Sequence, residues 1–541
     1  MLKPILPDPD SLSLSQLVAQ MIVVRTTGHL FDHEIEYPVW EATQTQLEHY
    51  IGELGVGGVI LLGGSGAEVA LRTQALQAMA EIPLLMAADI EEGVGQRFSG
   101  ATWFPPPMAL GEIAYTDLEL AKTYAHQFGQ HTACEAMAIG LNWVLAPVVD
   151  VNNNSANPVI NVRAFGETPE IVTQLTQAFI RGTQTYPVLT TVKHFPGHGD
   201  TSIDSHLSLP IIDHSLSRLD QVELAPFKAA IAQPIDAVMT AHICLSALDR
   251  TYPATLSKPI LTGLLRQDLG FEGLIVTDAL VMGAITKTYG AYEAAVLAVE
   301  AGADVILMPA DVEGCIQAIC EAVRVGRLTQ KQIRSSVERI WRAKHKVSGP
   351  LDAGPSCHNW EPAEPATQVQ QLAQPSALGL ARSILQASAR QTISFSPKGP
   401  GQNLILVDDV LSCRYLPRTA PAITQPAGWG YELTLLDSRA SSLLKMGLPT
   451  LVQLFIRGNP FRSGQNLVQL ARKYLETLTA TGDLQAMILY GSPYVLEQLS
   501  LPENMPWVFT YGQMPIAQTL AIATLAGETV VTGAVNHSFT D

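Results

Sequence analysis

A stretch near the middle of the chain carries a high density of groups that handle protons. It reads Lys193-His194-Phe195-Pro196-Gly197-His198-Gly199-Asp200-Thr201-Ser202-Ile203-Asp204-Ser205-His206 and comes straight after the apolar run Val188–Val192. A strand that ends in cationic and titratable side chains is typical of the rim of an active site. Such side chains can bind substrate hydroxyls, exchange protons or ligate a metal ion.

Asp204 and His206 are two residues apart in this stretch. The carboxylate can accept the Nδ1–H of the imidazole and fix its tautomer, which leaves Nε2 to exchange a proton with a substrate. An unperturbed imidazole titrates near ~6.5, so it can act first as an acid and then as a base around neutral pH. The same spacing also occurs in surface loops whose side chains only bond the backbone, so the surrounding residues must support a catalytic role.

Two other chemistries stay open for this stretch. Lys193 at the end of a strand could form a Schiff base, as in class I aldolases, or it could clamp substrate hydroxyls together with His194. A metal site is the second alternative, although the spacing of its candidate ligands is irregular. Those ligands are His194, His198, Asp200, Asp204 and His206. We predict neither a metal nor an organic cofactor.

Asp278 is a second candidate reactive group. It follows the strongly apolar run Leu274–Thr277 and has apolar neighbours on both sides. A carboxylate in this position is either a nucleophile or a structural residue that caps the next helix.

The first part of the chain alternates short apolar runs with stretches of helical spacing, among them Leu118–Ala138 and Ser217–Ile231. Strands that alternate with helices indicate a parallel sheet, and about eight such units indicate a barrel of the triosephosphate isomerase type. The loops after the strands then carry the chemistry, and Asp89, Asp150, His242 and Asp278 all occupy such positions. The predicted strands are Met21–Val24, Val56–Leu62, Leu84–Ala88, Asn142–Val149, Val188–Val192, Ala237–Ala241, Leu274–Thr277 and Asp304–Met308.

A shift to Gly, Pro, Ala and Gln over 349–375 indicates a linker between two domains. We therefore predict a catalytic (β/α)8 barrel over 1–348 and a smaller α/β sandwich domain over 376–541. The second domain has apolar runs suited to an open sheet and no obvious cluster of catalytic groups. The fold class is α/β throughout.

Composition excludes several classes of function. The chain has 541 residues and a formal net charge of −17, which argues against nucleic acid as a partner. No uninterrupted apolar run reaches the ~18 residues that a membrane-spanning helix needs. Pro and Asp interrupt the first ten residues where a secretory signal would be continuously apolar, so we expect a cytoplasmic protein without membrane association. The oligomeric state is not indicated.

These motifs resemble glycoside hydrolase family 3, in its β-N-acetylhexosaminidase (β-N-acetylglucosaminidase) branch. The run from Lys193 to Gly199, continued to Asp204-Ser205-His206, is the long signature of that branch, and the similarity covers roughly residues 10–347. The resemblance implies that Asp278 is the nucleophile and that His206 with Asp204 forms an acid/base dyad. It further implies that the non-reducing sugar is held by Asp89, Arg97, Arg163, Lys193 and His194.

One motif departs from the branch. The usual Asp-Gln-Glu-Gly-Gly-Arg-Val-Gln-Arg-Phe reads here Asp89-Ile90-Glu91-Glu92-Gly93-Val94-Gly95-Gln96-Arg97-Phe98. Asp89 and Arg97 are retained, whereas Val94 replaces an arginine. The departure bears on substrate detail more than on the type of reaction.

The expected activity is retaining hydrolysis of terminal, non-reducing β-linked N-acetylglucosamine from peptidoglycan (muropeptide) or chitin fragments. Family 3 β-glucosidases usually take their acid/base carboxylate from the second domain, and a loop dyad makes that unnecessary. The alternatives are a β-glucosidase-like enzyme, an N-acetylglucosaminide phosphorylase and, in a different class, a noncatalytic carbohydrate-binding barrel. A small carbohydrate is the expected partner.

Overall fold

The alternation of strands and helices in the first part of the chain forms a nearly closed parallel barrel. The computed structural model describes residues 6–201, 209–348, 368–397, 399–437, 439, 445, 447–457 and 465–528. Ten strands lie in the first part: β1 Ile22–Thr27, β2 Gly58–Leu62, β3 Leu85–Ala88, β4 Trp143–Val144, β5 Leu189–Phe195, β6 Ile211–Ile212, β7 Ala237–Thr240, β8 Cys244–Leu245, β9 Leu274–Val276 and β10 Ile306–Leu307.

Eight of these strands form one parallel sheet in the order β10-β1-β2-β3-β4-β5-β7-β9. The two ends of the sheet meet through backbone bonds, because Thr277 N–H donates to Val305 O over 3.0 Å and Val305 N–H donates to Ile275 O over 3.1 Å. The remaining pair, β6 and β8, forms a separate parallel ribbon. The predicted barrel is confirmed, with each predicted strand at its expected place.

Helices between the strands cover the outside of the sheet. The longest, Leu118–Ala138, matches its predicted bounds, whereas the predicted helix Ser217–Ile231 is two helices. Pro226, which lacks an N–H, stands in the first turn of the second one, where it does not interrupt a helical bond. The α-helices of this part are Leu14–Ala19, Gln44–Leu47, Gly66–Met79, Met108–Ala114, Leu118–Ala138, Pro169–Thr183, Leu216–Gln221, Ala225–Ile231, Gly283–Tyr289, Ala291–Ala301, Val312–Arg324 and Gln330–Ser348.

Short 3-10 and π turns supplement these helices near the rim and in the connections. The 3-10 turns are Pro9–Ser11, Asp32–Glu34, Val94–Gln96, Asn161–Arg163, Ala254–Leu256 and Val369–Gln371, and the π-helical segments are Glu48–Glu53 and Pro259–Asp268. Among the described residues, the structure contains no helix that combines the length and apolarity needed to cross a membrane.

The chain divides into two compact units between Ala381 and Arg382, within the helix Pro375–Ser388. The second unit is a six-stranded sheet in the order β11-β16-β15-β14-β12-β13, parallel except for β11 at one edge. Its strands are β11 Arg390–Gln391, β12 Gly401–Leu406, β13 Tyr431–Leu436, β14 Thr450–Ile456, β15 Leu484–Gly491 and β16 Trp507–Thr510. Its other helices are the 3-10 turn Val410–Ser412 and the α-helices Pro421–Gly428, Gln465–Thr481, Pro493–Gln498 and Pro515–Leu525.

Most of the predicted linker lies outside the described residues. Its described end contacts the barrel unit, because Ala373 N–H donates to the buried carboxylate of Glu135 over 2.9 Å. Burial raises the pKa of Glu135 despite the hydrogen bonds that it accepts from Thr102 and Ala373.

Candidate active site

Most of the predicted site residues converge on the carboxyl-terminal rim of the barrel. Asp89 directly follows β3, Lys193 and His194 lie among the last three residues of β5, and Asp278 lies two residues beyond β9. Arg163 closes the 3-10 turn Asn161–Arg163 in the long connection after β4. Parallel strands place their carboxyl ends at the same edge of a barrel, which brings these residues together.

Lys193 lies at the centre of a charged cluster. Its Nζ is 2.7 Å from Asp89 Oδ1 and 2.7 Å from Glu91 Oε1, although the residue is only 1% exposed. The Arg163 guanidinium meets Glu91 with two bonds of 2.8 Å, from Nε to Oε2 and from NH2 to Oε1. A buried lysine and a half-buried arginine therefore share one buried carboxylate, while the Asp89 side chain stays 36% exposed.

The charges of this cluster stabilise one another. Burial alone would raise the pKa of Glu91, but Arg163 and Lys193 outweigh burial and hold that pKa well below its usual range. Burial likewise disfavours the charged Lys193, yet Asp89 and Glu91 raise its pKa above the ordinary value. A lysine that keeps its proton in two ion pairs is a poor Schiff-base nucleophile, so the arrangement favours the clamp over the aldolase alternative.

His194 is oriented by a fully buried carboxylate. Its Nδ1 lies 2.8 Å from Asp150 Oδ2, and its backbone N–H points to both oxygens of the same carboxylate at 3.2 Å. The carboxylate accepts, so Nδ1 carries the proton and Nε2 turns toward Arg163 NH2 at 3.4 Å. Although burial acts in the opposite direction, His194 lowers the pKa of Asp150.

Arg97 and Val94 come from the motif that departs from the family pattern. Arg97 Nε donates to the Asp89 carbonyl oxygen over 2.8 Å, which places a partly exposed guanidinium at the same rim. Val94 begins the 3-10 turn Val94–Gln96 and is completely buried. The residue that replaces the family arginine therefore contributes packing and no charge to the site.

Asp278 is partly exposed at the end of β9, and its Oδ1 accepts the Ala279 N–H over 2.7 Å. The next helix, Gly283–Tyr289, has Met282 as its N-cap and no side-chain capping bond. Asp278 therefore does not cap that helix. The Ala279 carbonyl in turn accepts a bond from His242 Nε2 over 3.1 Å.

The segment that follows β5 turns back over Asp150. The backbone N–H of His198 donates to Asp150 Oδ1 over 2.7 Å, and its Nδ1 lies 2.9 Å from Thr201 Oγ1. Asn157 Nδ2 holds the carbonyls of His198 and Gly199 at 2.9 and 2.8 Å. The predicted dyad, Asp204 and His206, lies outside the described residues.

The described ligands of the metal alternative bond separate protein groups. The Nδ1 atoms of His194 and His198 bond Asp150 and Thr201, while Asp200 Oδ2 bonds His214 Nε2 over 2.8 Å. These three side chains are thus engaged with different protein partners. The two remaining members of the proposed set lie outside the described residues.

Three residues of the site have roles that the sequence does not predict. Asp150 and His242 had been placed on the rim from their positions after strands, but no role followed from that. Glu91 occupies a position at which the Asp89–Phe98 motif keeps the residue of the family pattern. This agreement is the sequence feature that could have identified it as a site residue. All three act by holding another site residue, which residue type alone does not reveal.

Two family models match most of the chain. The glycosyl hydrolase family 3 N-terminal domain matches residues 13–343, and the bacterial glycosyl hydrolase family 3 C-terminal domain matches residues 394–527. A solved structure of a family 3 β-N-acetylglucosaminidase from Paenibacillus sp. strain FPU-7 is 32% identical, with a TM-score of 0.77, over 96% of this chain and 98% of the other.

Curated relatives point the same way. Beta-hexosaminidase A of Pseudoalteromonas piscicida is 37% identical over 333 residues, and the match spans 56% of this chain and 55% of that relative. A β-N-acetylglucosaminidase/β-glucosidase of Cellulomonas fimi is 26% identical over 538 residues, or 91% of this chain and 90% of the relative. Matches to both domain models, in the same order as the two units, together with the Paenibacillus structure and the beta-hexosaminidase relative, show that this chain belongs to glycosyl hydrolase family 3 and is of its β-hexosaminidase type.

Proposed function

We propose that the protein removes terminal, non-reducing β-linked N-acetylglucosamine with retention of configuration, from peptidoglycan (muropeptide) or chitin fragments. One observation carries the proposal. A carboxylate at the end of β9, Asp278, shares the rim with the charged cluster of Lys193, Asp89, Glu91 and Arg163. The names of the Paenibacillus and Pseudoalteromonas proteins support the choice of sugar.

The cluster suits a hydroxyl-rich ring. Asp89 supplies a partly exposed acceptor, and Lys193, Arg163 and Arg97 supply donors around it. Lys193 and Arg163 keep their charge because the carboxylates of Asp89 and Glu91 neutralise them. Binding groups that are already oriented require little reorganisation when the sugar enters.

Asp278 acts as the nucleophile in this proposal. The bond from Ala279 N–H fixes one oxygen of the carboxylate. The carboxylate attacks the anomeric carbon while His206, oriented by Asp204, protonates the leaving oxygen. Water that His206 deprotonates then releases the sugar from Asp278. These two roles rest on the family resemblance.

The mechanism is tested with aryl β-N-acetylglucosaminide and aryl β-glucoside, using wild type and Asp278→Ala. We expect selective turnover of the N-acetylglucosaminide and a fall of roughly three orders of magnitude or more in the variant. A 5-fluoro N-acetylglucosaminyl donor should label the peptide that contains Asp278. Asp220→Ala, at an exposed carboxylate paired with Lys228, is the matched control and should keep full activity.

The same assay separates the alternatives. The Cellulomonas relative's name carries a β-glucosidase activity as well, and equal turnover of the glucoside would contradict the proposed specificity. Formation of sugar 1-phosphate in phosphate buffer would show phosphorolysis in place of hydrolysis. Sugar binding without turnover of either substrate would indicate a noncatalytic barrel. The cytoplasmic location stays a prediction, which cell fractionation tests.

A further inference from the structure

The connection after β1 builds an exposed aromatic surface at the rim. Tyr37 is 44% exposed, and its ring stacks on that of Trp40 with centroids 5.8 Å apart and planes within 14° of parallel. The guanidinium of Arg25 lies under both rings, 5.1 Å from the centroid of Tyr37 and 5.6 Å from that of Trp40. Stacking on a cation in this way holds the rings in place.

A buried ion pair fixes this arrangement to the barrel. Arg25 NH2 donates to Glu41 Oε1 over 3.0 Å, and Glu41 is only 4% exposed. The other oxygen of Glu41 accepts the backbone N–H groups of Glu36 and Tyr37 at 3.2 and 3.4 Å. The ion pair and the hydrogen bonds to Glu41 thus hold the aromatic pair in a defined position beside β1.

Arg25 faces the inside of the barrel. A Cβ atom at Gly28 would meet Val69 of the outer helix Gly66–Met79 at 2.8 Å, so position 28 faces outward. Gly28 N–H continues the ladder by donating to Leu62 O. Because side chains alternate along a strand, Arg25 points inward.

The register of the sheet also indicates that Arg25 faces the inside of the barrel. Thr190 Oγ1 lies 2.9 Å from Thr183 Oγ1 of the outer helix Pro169–Thr183, so Thr190 faces outward and its neighbour Leu189 inward. Leu189 shares its register with Arg25 through three intervening strands, and residues paired across a parallel sheet share a face. The register runs from Leu189 through Trp143, Ala87 and Ile60 to Arg25.

The connection returns to β1 on the side of Asp278. Met308, directly after β10, donates its N–H to Val23 O, and one step further along β1 Ala42 N–H donates to Arg25 O over 2.8 Å. Ala42 therefore takes the place beside β1 that β10 occupies lower in the barrel. The segment after Asp278 bonds the same end of β10, through Val281 N–H to Met308 O over 3.0 Å.

We infer that Tyr37, with Trp40 behind it, forms the binding surface for the leaving group, and that this leaving group is a second sugar ring. This inference rests on the proposed function. The groups proposed to hold the terminal sugar come from the connections after β3 and β4 and from β5, while Asp278 comes from β9. A sugar ring that reaches from these binding groups to Asp278 has its anomeric carbon at Asp278. The leaving group is attached to that carbon, so it lies on the side of the rim where Tyr37 lies. Aromatic faces pack well against the apolar C–H face of a pyranose.

The test compares N,N′-diacetylchitobiose, whose leaving group is a sugar, with methyl β-N-acetylglucosaminide, whose leaving group is too small to reach the surface. Tyr37→Ala is expected to lower the ratio of kcat/KM for the two substrates about tenfold. Tyr37→Phe retains the aromatic ring, so its ratio of kcat/KM should stay close to that of the wild type. Tyr115→Ala, at a tyrosine that is 57% exposed outside this connection, is the matched control and should leave the ratio at the wild-type value.

An unchanged ratio in an active Tyr37→Ala variant would overturn this inference alone. A Tyr37→Phe variant whose ratio of kcat/KM falls as far as that of Tyr37→Ala would overturn it as well. A wild type that cleaves neither substrate would overturn the proposed function, and the leaving-group site with it. Circular dichroism of each variant verifies that the barrel is folded before the ratios are compared.

Discussion

At the scale of single residues, His242 orients the peptide that supports Asp278. The ring is fully buried, and its Nε2 bonds Ala279 O over 3.1 Å while Ala279 N–H bonds Asp278 Oδ1 over 2.7 Å. A carbonyl oxygen only accepts, so Nε2 carries a proton, and Nδ1 lies 2.8 Å from Thr255 Oγ1. His242 is therefore a positioning residue for the proposed nucleophile.

We predict that His242→Ala lowers kcat about tenfold or more and changes KM less than about twofold. The reason is that a misplaced nucleophile costs transition-state geometry, whereas the groups proposed to hold the sugar lie on other strands. His242→Gln can donate to the same carbonyl and should recover most of kcat. Steady-state kinetics checks this, alongside melting temperatures of both variants. A rise in KM at constant kcat would contradict the assigned role.

Positions after predicted strands were enough to expect Asp89, Lys193 and His194 on one rim, whereas Arg163 was expected there only from the family resemblance. The role of Glu91 could not be predicted in the same way. It depends on one carboxylate meeting cations from two other parts of the barrel, and this pairing exists only in the folded chain. Sequence spacing does not encode such a shared partner.

At the scale of elements, the turn after β5 depends on a histidine that is buried without charge. Burial lowers the pKa of His198 to about 4, although Asp150 acts in the opposite direction and His194 and Arg163 in the same one. The ring bonds Thr201 at the end of the turn. The neutral form therefore belongs to the folded structure.

This arrangement predicts a specific loss of stability in acid. An unfolded histidine takes up a proton below its usual pKa of about 6.5, whereas folded His198 does so only near pH 4. The unfolded state thus binds more protons between these values, and the free energy of unfolding falls by up to about 3 kcal/mol as pH drops from 7 to 4. His198→Asn removes this contribution, so the stability difference between wild type and variant should shrink as pH falls. Urea unfolding at pH 7, 6 and 5 measures it, and a difference that is independent of pH would contradict the prediction.

The main elements of the barrel could be predicted because each has a long apolar or periodic signature. Elements without such a signature were missed, among them the two-residue strands β6, β8 and β11. Two residues carry no periodicity, and their pairing depends on which partner the tertiary fold brings alongside. The break at Pro226 in a stretch of helical spacing was missed although the proline was visible, since proline is also accepted in a first helical turn.

At the scale of the whole molecule, the barrel separates a rim that carries chemistry from an opposite edge that carries stability. Asp304 precedes β10 at that opposite edge and is completely buried. Its carboxylate accepts from Ile275 N–H at 2.9 Å, from Ser336 Oγ at 2.8 Å and from Arg339 NH1 at 2.9 Å, and it pairs with Arg266. One carboxylate thereby joins β9 to two surrounding helices.

Asp304→Asn should therefore destabilise the barrel without altering its catalysis. Removing one partner of a buried charge network leaves both arginines without their counter-ion and costs about 3–5 kcal/mol, which corresponds to a fall of roughly 5 °C or more in melting temperature. Calorimetry is expected to show this fall in the transition that accompanies loss of activity, while kcat/KM at 25 °C stays within about twofold of wild type. Glu321→Gln, at an exposed pair with Arg324, is the matched control and should shift that transition little. A large loss of kcat/KM in folded Asp304→Asn would show that the two edges are coupled, against the separation argued here.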